Sequence, residues 1–352
     1  MRRIAVDAMG SDGAPVPEVE GSLAAVTEGL HEVVLVGDQD RLRSTLGGRR
    51  HPRLHLHHAS QVIAMSDAPG QAMKTKKDAS MRVCFELCRR GEAAAVVSAG
   101  NSGAMMAGSL LILRRLPGVE RPAIVALAPT REGSHCVVLD VGANLEVKPS
   151  TLAQFAVLGA TYARQILDRP RPRVAVLANG EEASKGTELT REAHRLLRVA
   201  GADPRAEFVF AGYAEGRDFF SGQQDVIVTD GFTGNLCLKT FEGATHLIFD
   251  LLRAEVDRLA RAKIGAALMR PAFRALRRRL EPDEHGGLPL LGVDGVVIIG
   301  HGRSTAKAIK NAIFTADRYR EAGLARAVAE SVARHLPLFP AADQEPVGGP
   351  AT

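Results

Sequence analysis

Five stretches of this chain interrupt an aliphatic run with a turn of the same kind, and those turns carry most of the side chains able to do chemistry. They are Asp7-Ala8-Met9-Gly10-Ser11-Asp12-Gly13, Ser98-Ala99-Gly100-Asn101-Ser102-Gly103-Ala104, Asp140-Val141-Gly142-Ala143-Asn144, Asn179-Gly180-Glu181-Glu182 and Asp230-Gly231-Phe232-Thr233-Gly234-Asn235. Glycine lets backbone N–H groups approach a guest closely, and a helix starting just after it adds the positive end of its dipole. The natural guest is therefore a phosphate oxyanion. Asn, Ser and Thr add neutral donors. In open α/β sheets the carboxyl ends of the strands line one crevice, so the five turns are expected to meet at one ligand. Glycine after a strand is also ordinary loop chemistry, and the argument rests on the five together. Neither GxGxxG nor GxxxxGK[ST] occurs in these turns, which disfavours a nicotinamide dehydrogenase.

Other candidates have bland readings beside the functional ones. Lys185 is either a solvated loop cation or a charge for the anion. His301, between Gly300 and Gly302, is either a structural histidine or an acid toward a leaving group. Asp7, Asp140 and Asp230 end strands, where aspartate orients donors or caps the next helix. His55, His57 and His58 alternate along a strand-like segment without carboxylates at ligand spacing, so no metal is expected. Cys84 and Cys88 lie one helical turn apart and Cys237 follows the DGFTGN turn, none with an evident histidine partner, which argues against a cysteine nucleophile.

These residues need a scaffold. A chain of 352 residues exceeds one ordinary core, so two lobes or domains are expected, with a catalytic unit over residues 1–338. Strand-like runs recur at Ile4 to Val6, Val33 to Val36, Ala94 to Val97, Ile124 to Leu127, Val137 to Leu139, Val174 to Leu177, Phe208 to Phe210, Val226 to Val228 and Val296 to Ile299. Helical stretches such as Met81 to Arg90, Leu152 to Leu167 and Glu188 to Val199 separate many of them, the βαβ rhythm of a mostly parallel sheet covered on both faces. Ile124 to Leu127 and Val137 to Leu139, joined through Thr130-Arg131-Glu132-Gly133, have room only for a hairpin, which makes the sheet mixed. From Phe241 to about Leu280 the pattern is a long amphipathic helix and then a short one after Pro271, a protruding arm; residues 339–352 read as a flexible tail.

The net charge of +5 is concentrated between Arg253 and Arg279, which implies an acidic partner or surface. Aromatic residues make up only 4% of the chain, too few for a stacking surface, so nucleic acid is not the expected partner. The four cysteines show no CxxC pair and read as reduced thiols, which together with the lack of a signal-like start or an apolar run of about 18 residues suggests a cytoplasmic protein.

The succession DAMGSD, SAGNSGAMM, LDVGAN, NGEEASKG, DGFTGN, LPLLGVDG and HG, in this order and spacing, resembles the bacterial phosphate acyltransferase family, also called acyl-ACP phosphate acyltransferase. The resemblance runs from Ile4 to about Leu336. It implies a Rossmann-like mixed sheet of the isocitrate dehydrogenase-like superfamily and a homodimer held partly by helical arms. The implied activity moves a long-chain fatty acyl group from acyl carrier protein to inorganic phosphate for phospholipid synthesis, with no cofactor. Phosphate is itself the nucleophile, so positioning and electrostatics suffice. Gly100, Asn101, Ser102 and Gly103 then cradle phosphate, Lys185 supplies charge, Asn235 with Gly234 donates to phosphate or oxyanion, and His301 is a candidate acid. Asp7, Gly10, Asn144 and Asp230 complete the substrate site. Arg270, Arg274, Arg277, Arg278 and Arg279 suit acyl carrier protein or a membrane surface, where a membrane glycerol-3-phosphate acyltransferase would take the product. Ser11, Ala79, Ala178, His285 and Leu288 depart from the family pattern. The rival readings are an acyl-CoA-dependent phosphotransacylase and a non-catalytic phosphate or nucleotide sensor on the same scaffold.

Overall fold

Every aliphatic run just named becomes a strand of a single eleven-stranded sheet in the computed structural model, which describes residues 3–29, 32–182, 184–280 and 286–339. The strands are β1 (Ile4–Asp7), β2 (Val33–Gly37), β3 (Leu54–His58), β4 (Ala95–Ser98), β5 (Ala123–Pro129), β6 (His135–Leu139), β7 (Arg173–Leu177), β8 (Val209–Ala214), β9 (Val226–Val228), β10 (Leu288–Leu291) and β11 (Val296–Ile299). Their order is β3-β2-β1-β4-β11-β10-β5-β6-β9-β7-β8. The first helices are α1 (Val16–Thr27), α2 (Gln39–Leu46), α3 (Pro69–Thr75), α4 (Ser80–Arg89) and α5 (Ser102–Gly108), the last continuing into a π-helical turn at Ser109–Leu113. Then come α6 (Pro149–Ile166), α7 (Glu188–Ala202), α8 (Gly231–Arg258), α9 (Ala260–Leu268), α10 (Arg270–Leu280), α11 (Ala306–Glu321) and α12 (Leu324–His335).

The two-residue repeat of each strand divides the core in two. Ile4, Val6, Val33 and Leu35 face a layer that includes residues of α1, α2, α6, α7, α11 and α12. Ala5, Val34 and Val36 face the layer of α3, α4 and α5 on the other side. The fold is thus a mixed, mostly parallel sheet with helices on both faces, as the βαβ rhythm implies. The hairpin forms as expected, with Pro129 opposite His135. Only β10 escapes the run-by-run reading, because Pro289 sits inside it and proline argues against an interior strand.

Strand direction matters most for the site. β3, β2, β1, β4 and β11 are parallel to one another, and so are β6, β9, β7 and β8. Three antiparallel pairings in succession, β11–β10, β10–β5 and β5–β6, separate these sets and leave them with opposite sense.

The arm departs from expectation at its root. Its first helix begins at Gly231, inside the DGFTGN turn, and breaks come at Leu259 and Met269 before α10. Hydrophobic periodicity missed the root because the first turn of α8 is polar and glycine-rich. His285 and residues 340–352 of the expected tail lie outside the described residues.

Packing is tight where α6 crosses the sheet. A Cβ on Gly159 would lie 2.5 Å from Val226 Cγ1 and 2.8 Å from Leu139 Cδ2. Gly159→Val is therefore expected to destabilise the fold by about 1–3 kcal/mol through overpacking. A denaturant midpoint unchanged from wild type would refute this close approach.

Candidate active site

The first group of site residues lies at the carboxyl ends of the neighbouring strands β1, β4 and β11. Asp7 is buried at the end of β1; its Oδ1 accepts the Met9 amide at 3.2 Å and its Oδ2 accepts the Ser98 hydroxyl at 2.6 Å. Ser98 Oγ in turn accepts the Gly100 amide at 3.1 Å. The Gly10 and Gly100 turns stand back to back: a Cβ on Gly10 would lie 2.9 Å from Gly100 N and 2.6 Å from Asp7 Oδ2. Only glycine fits there. The Gly300–Ser304 turn joins them, with the Gly300 amide on Ser98 O at 2.7 Å and the Asp12 amide on Gly302 O at 2.8 Å.

Asn101 has a structural occupation. Its Oδ1 caps α5 by accepting the Ala104 amide at 3.0 Å, while Nδ2 lies 3.1–3.3 Å from the carbonyls of Ala64, Met65 and Asp67. Its side chain thus ties a neighbouring loop over the turn. The amides of Gly10, Ser102 and Gly103 have no hydrogen-bond partner among the described residues. His301 is exposed beside them, and its Nδ1 accepts the Arg303 amide at 3.2 Å, which leaves Nε2 for another partner.

The second group lies on β6, β9 and β7, also neighbours. Asp140 is fully buried, and burial raises its carboxyl above the ordinary carboxylate range. It accepts the amides of Ile124, Gly142, Ala143 and Asn144 and the side-chain amide of Asn144. Asn144 also donates to Pro122 O at 2.8 Å, and its carbonyl accepts the Gly231 amide at 2.7 Å. The first turn of α8 presses on this staple: a Cβ on Gly234 would lie 2.0 Å from Asp140 O. Asp230 caps the helix, with Oδ1 on the Thr233 amide and Oδ2 on the Thr233 hydroxyl, both at 2.8 Å. The Gly234 amide is held by Asp230 O at 2.9 Å. Gly234 therefore serves close packing and not donation.

Two donors in this group are unspent. Asn235 is exposed, its side-chain amide over Gly142 and without a partner among the described residues. Lys185 is half-buried, its stem against Gly180, and has no carboxylate partner among the described residues. The Asn179 side chain braces the same loop by accepting the Gly186 amide at 2.9 Å.

The site turns do not share a single row of carboxyl ends. The turns form two groups, Asn101 and His301 in one, Lys185 and Asn235 in the other, because the antiparallel centre reverses the strands. Sequence reasoning also missed Ser98, which links Asp7 to Gly100, and Glu18, whose place in a Glu-Val-Glu stretch gives no sign of burial. Glu18 is fully buried on α1 near Ser11 and Asp7. Ser11, one of the departures from the family pattern, is itself buried. The cysteines offer no nucleophile: burial pushes the Cys88 thiol up to about 12 and holds Cys84, Cys136 and Cys237 above the ordinary thiol value.

Braced glycine turns with open amides, a lysine and a free carboxamide on a mixed sheet define an α/β enzyme that handles an oxyanion. The fold is similar to that of a phosphotransacetylase from Streptococcus pyogenes, with a TM-score of 0.59 at 19% identity over 91% of this chain and 94% of that one. The chain belongs to the phosphate acyltransferase family and is an acyltransferase. It is 50% identical over 343 residues to the phosphate acyltransferase of Myxococcus xanthus, covering 96% of each chain. It is 49% identical over 315 residues to that of Syntrophotalea carbinolica, covering 89% of each. The sequence pattern of a family described as fatty acid synthesis protein matches residues 2–327. No described helix is long and apolar enough to cross a membrane.

Burial pushes the Glu18 carboxyl up to about 7 from 4.5. Its protonated form therefore contributes stability that is fully present below about pH 4.5 and is lost as pH rises through about 7. Glu18→Gln removes the ionisable group, so the variant should gain about 2–3 kcal/mol on wild type between pH 5 and pH 8. Denaturant titrations at both pH values check this, and a gap independent of pH would refute it.

Proposed function

We propose that this chain transfers a long-chain fatty acyl group from acyl carrier protein to inorganic phosphate, giving acyl phosphate for phospholipid synthesis. The observation that carries the reading is that each turn group is braced from behind by a buried aspartate and still offers unspent donors in front. Sheet twist supports a shared crevice. Adjacent strands rotate by roughly 20–25°, so the five steps from β4 to β9 accumulate roughly 100–125°. Strands of opposite sense then have carboxyl ends that converge across the β10–β5 centre.

In this arrangement the amides of Gly10, Ser102 and Gly103 hold phosphate beside α5. Lys185 and Asn235 face the thioester carbonyl. A phosphate oxygen attacks the carbonyl carbon, and the carbonyl oxygen becomes an oxyanion stabilised by the ammonium and the carboxamide. The C–S bond then breaks; the thiolate leaves with the electron pair and takes up a proton, for which His301 is available. The products are acyl phosphate and the free carrier thiol, with no acyl-enzyme intermediate.

The arm serves the partners. On α10, Arg270, Arg274, Arg277, Arg278 and Arg279 lie on an exposed surface with Leu276, which suits an acidic carrier protein or the inner face of a membrane. A homodimer would cover the exposed Leu247, Ile248 and Leu251 of α8. The product would pass to a membrane glycerol-3-phosphate acyltransferase, the protein itself being cytoplasmic.

Thiol release from palmitoyl-ACP should require phosphate, and Lys185→Ala or Asn235→Ala should each lower kcat about 10²–10³-fold. Release from palmitoyl-CoA alone would replace the carrier-protein reading with the phosphotransacylase one; release from neither would favour the sensor. Full turnover by Lys185→Ala would remove that residue from the site. Combining Arg270→Gln with Arg274→Gln should raise KM for acyl-ACP about tenfold with kcat unchanged, in line with the loss of two surface charges that steer an acidic partner. An unchanged KM would count against the arm as the docking surface.

A further inference from the structure

The β5–β6 hairpin and the last helix of the arm flank an open cavity of about 410 Å³ that the reaction above does not use. Thr130, Ser134 and His135 line it from the hairpin, Arg278 and Arg279 from α10. Gly133 has φ +83°, a conformation that favours glycine, and the Arg279 guanidinium lies against this turn, 2.8 Å from where a Cβ would stand. The hairpin tip is fixed in turn: the Thr130 amide donates to Ser134 O at 2.9 Å, the Gly133 amide to Thr130 O at 3.0 Å, and the two hydroxyl oxygens lie 2.9 Å apart.

Among the described residues the charged groups that line this space are Arg278 and Arg279, and neither has a carboxylate partner there. Burial, and then the Arg318 guanidinium, hold His135 below the ordinary histidine value, so its ring is neutral at physiological pH. Two guanidinium groups beside hydroxyl donors match a tetrahedral oxyanion with more than one oxygen to offer. The volume exceeds what a bare ion fills and falls in the range of small-molecule sites. Pro129 and Ala275 give it an apolar side.

We infer that this cavity binds the phosphate group of an organic phosphate ester, with Arg278 and Arg279 on the oxyanion, Ser134 donating, and Pro129 and Ala275 against the carbon side. The ester is either free in solution or the headgroup of a phospholipid; both present the same chemistry. The site is separate from the glycine turns and gives two arm arginines a ligand of defined type. It therefore stands or falls independently of acyl transfer, which the phosphate-dependent thiol assay tests by itself.

The test titrates propyl phosphate, and separately dihexanoyl phosphatidate below its micelle concentration, into the full chain by calorimetry, with the Arg279→Gln chain, whose glycine turns are intact, as the comparison. At least one ester should bind, and Arg279→Gln, Ser134→Ala and Gly133→Val should weaken it, the first by at least tenfold. Binding of propyl phosphate assigns a soluble ester, and binding of the phosphatidate alone assigns a lipid headgroup. Failure of both to bind, or binding untouched by Arg279→Gln and Ser134→Ala, overturns the inference. Arg279→Gln removes no hydrogen bond of the hairpin tip and no core group, so the result does not depend on how Ser134→Ala or Gly133→Val affects the turn.

Discussion

Two strand-ending aspartates govern this site from beneath. Asp7 and Asp140 are both buried, and each has a glycine pressed on its Oδ2: a Cβ would lie 2.6 Å away on Gly10 in one case and on Gly231 in the other. A buried carboxyl is costly unless donors surround it, and the two are satisfied differently. Asp140 takes up the amides of Gly142, Ala143 and Asn144, so that turn has no amide left for a guest. Asp7 takes only the Met9 amide and the Ser98 hydroxyl, and the amides of Gly10, Ser102 and Gly103 stay open. In the proposed reaction this difference sets the division of labour. Open backbone amides suit phosphate; side-chain donors alone, Lys185 and Asn235, suit the single oxygen of a carbonyl.

That division is useful only if the groups face one another, and the sheet supplies the geometry in an indirect way. In an all-parallel sheet the turns would be neighbours along one edge and both substrates would compete for the same row of donors. The reversal through β10 and β5 puts the groups on strands of opposite sense, and in the proposed reaction accumulated twist would turn their ends toward a common centre. Two substrates can then enter from two walls. The sheet must be mixed for this to work, which gives the proline-bearing β10 a place in the chemistry although it contributes no site residue.

Much of this was legible in the sequence. Nine aliphatic runs became strands, since β-branched residues closed by glycine leave few alternatives, and the hairpin followed from the shortness of its connection. The turn motifs picked out segments that the structure places after the ends of strands. Their grouping was hidden because strand direction depends on β10, where Pro289 masks the strand. Individual roles were hidden for another reason. Asn101 and Gly234 have the residue types of a site, yet their polar groups are consumed by a helix cap, loop carbonyls and Asp230. Ser98 looks ordinary in sequence and acts through Asp7, far away along the chain, while Glu18 stands in a polar stretch whose burial the pattern does not show.

The arm and the site are continuous, and this constrains how partners can influence catalysis. Asn235 stands on the first turns of α8, which Asp230 caps and which Gly231 and Gly234 seat against Asp140 and Asn144. Those two glycines are the buried residues of α8; from there the helix runs out to Arg258 as one element. A helix held so tightly at its root transmits a push at its far end as a rotation about that seat, not as a bend, since sharp bends need a proline, glycine pair or bulge. The length of α8 thus carries Asn235, the proposed oxyanion donor, on the same element whose exposed apolar side chains would meet a partner.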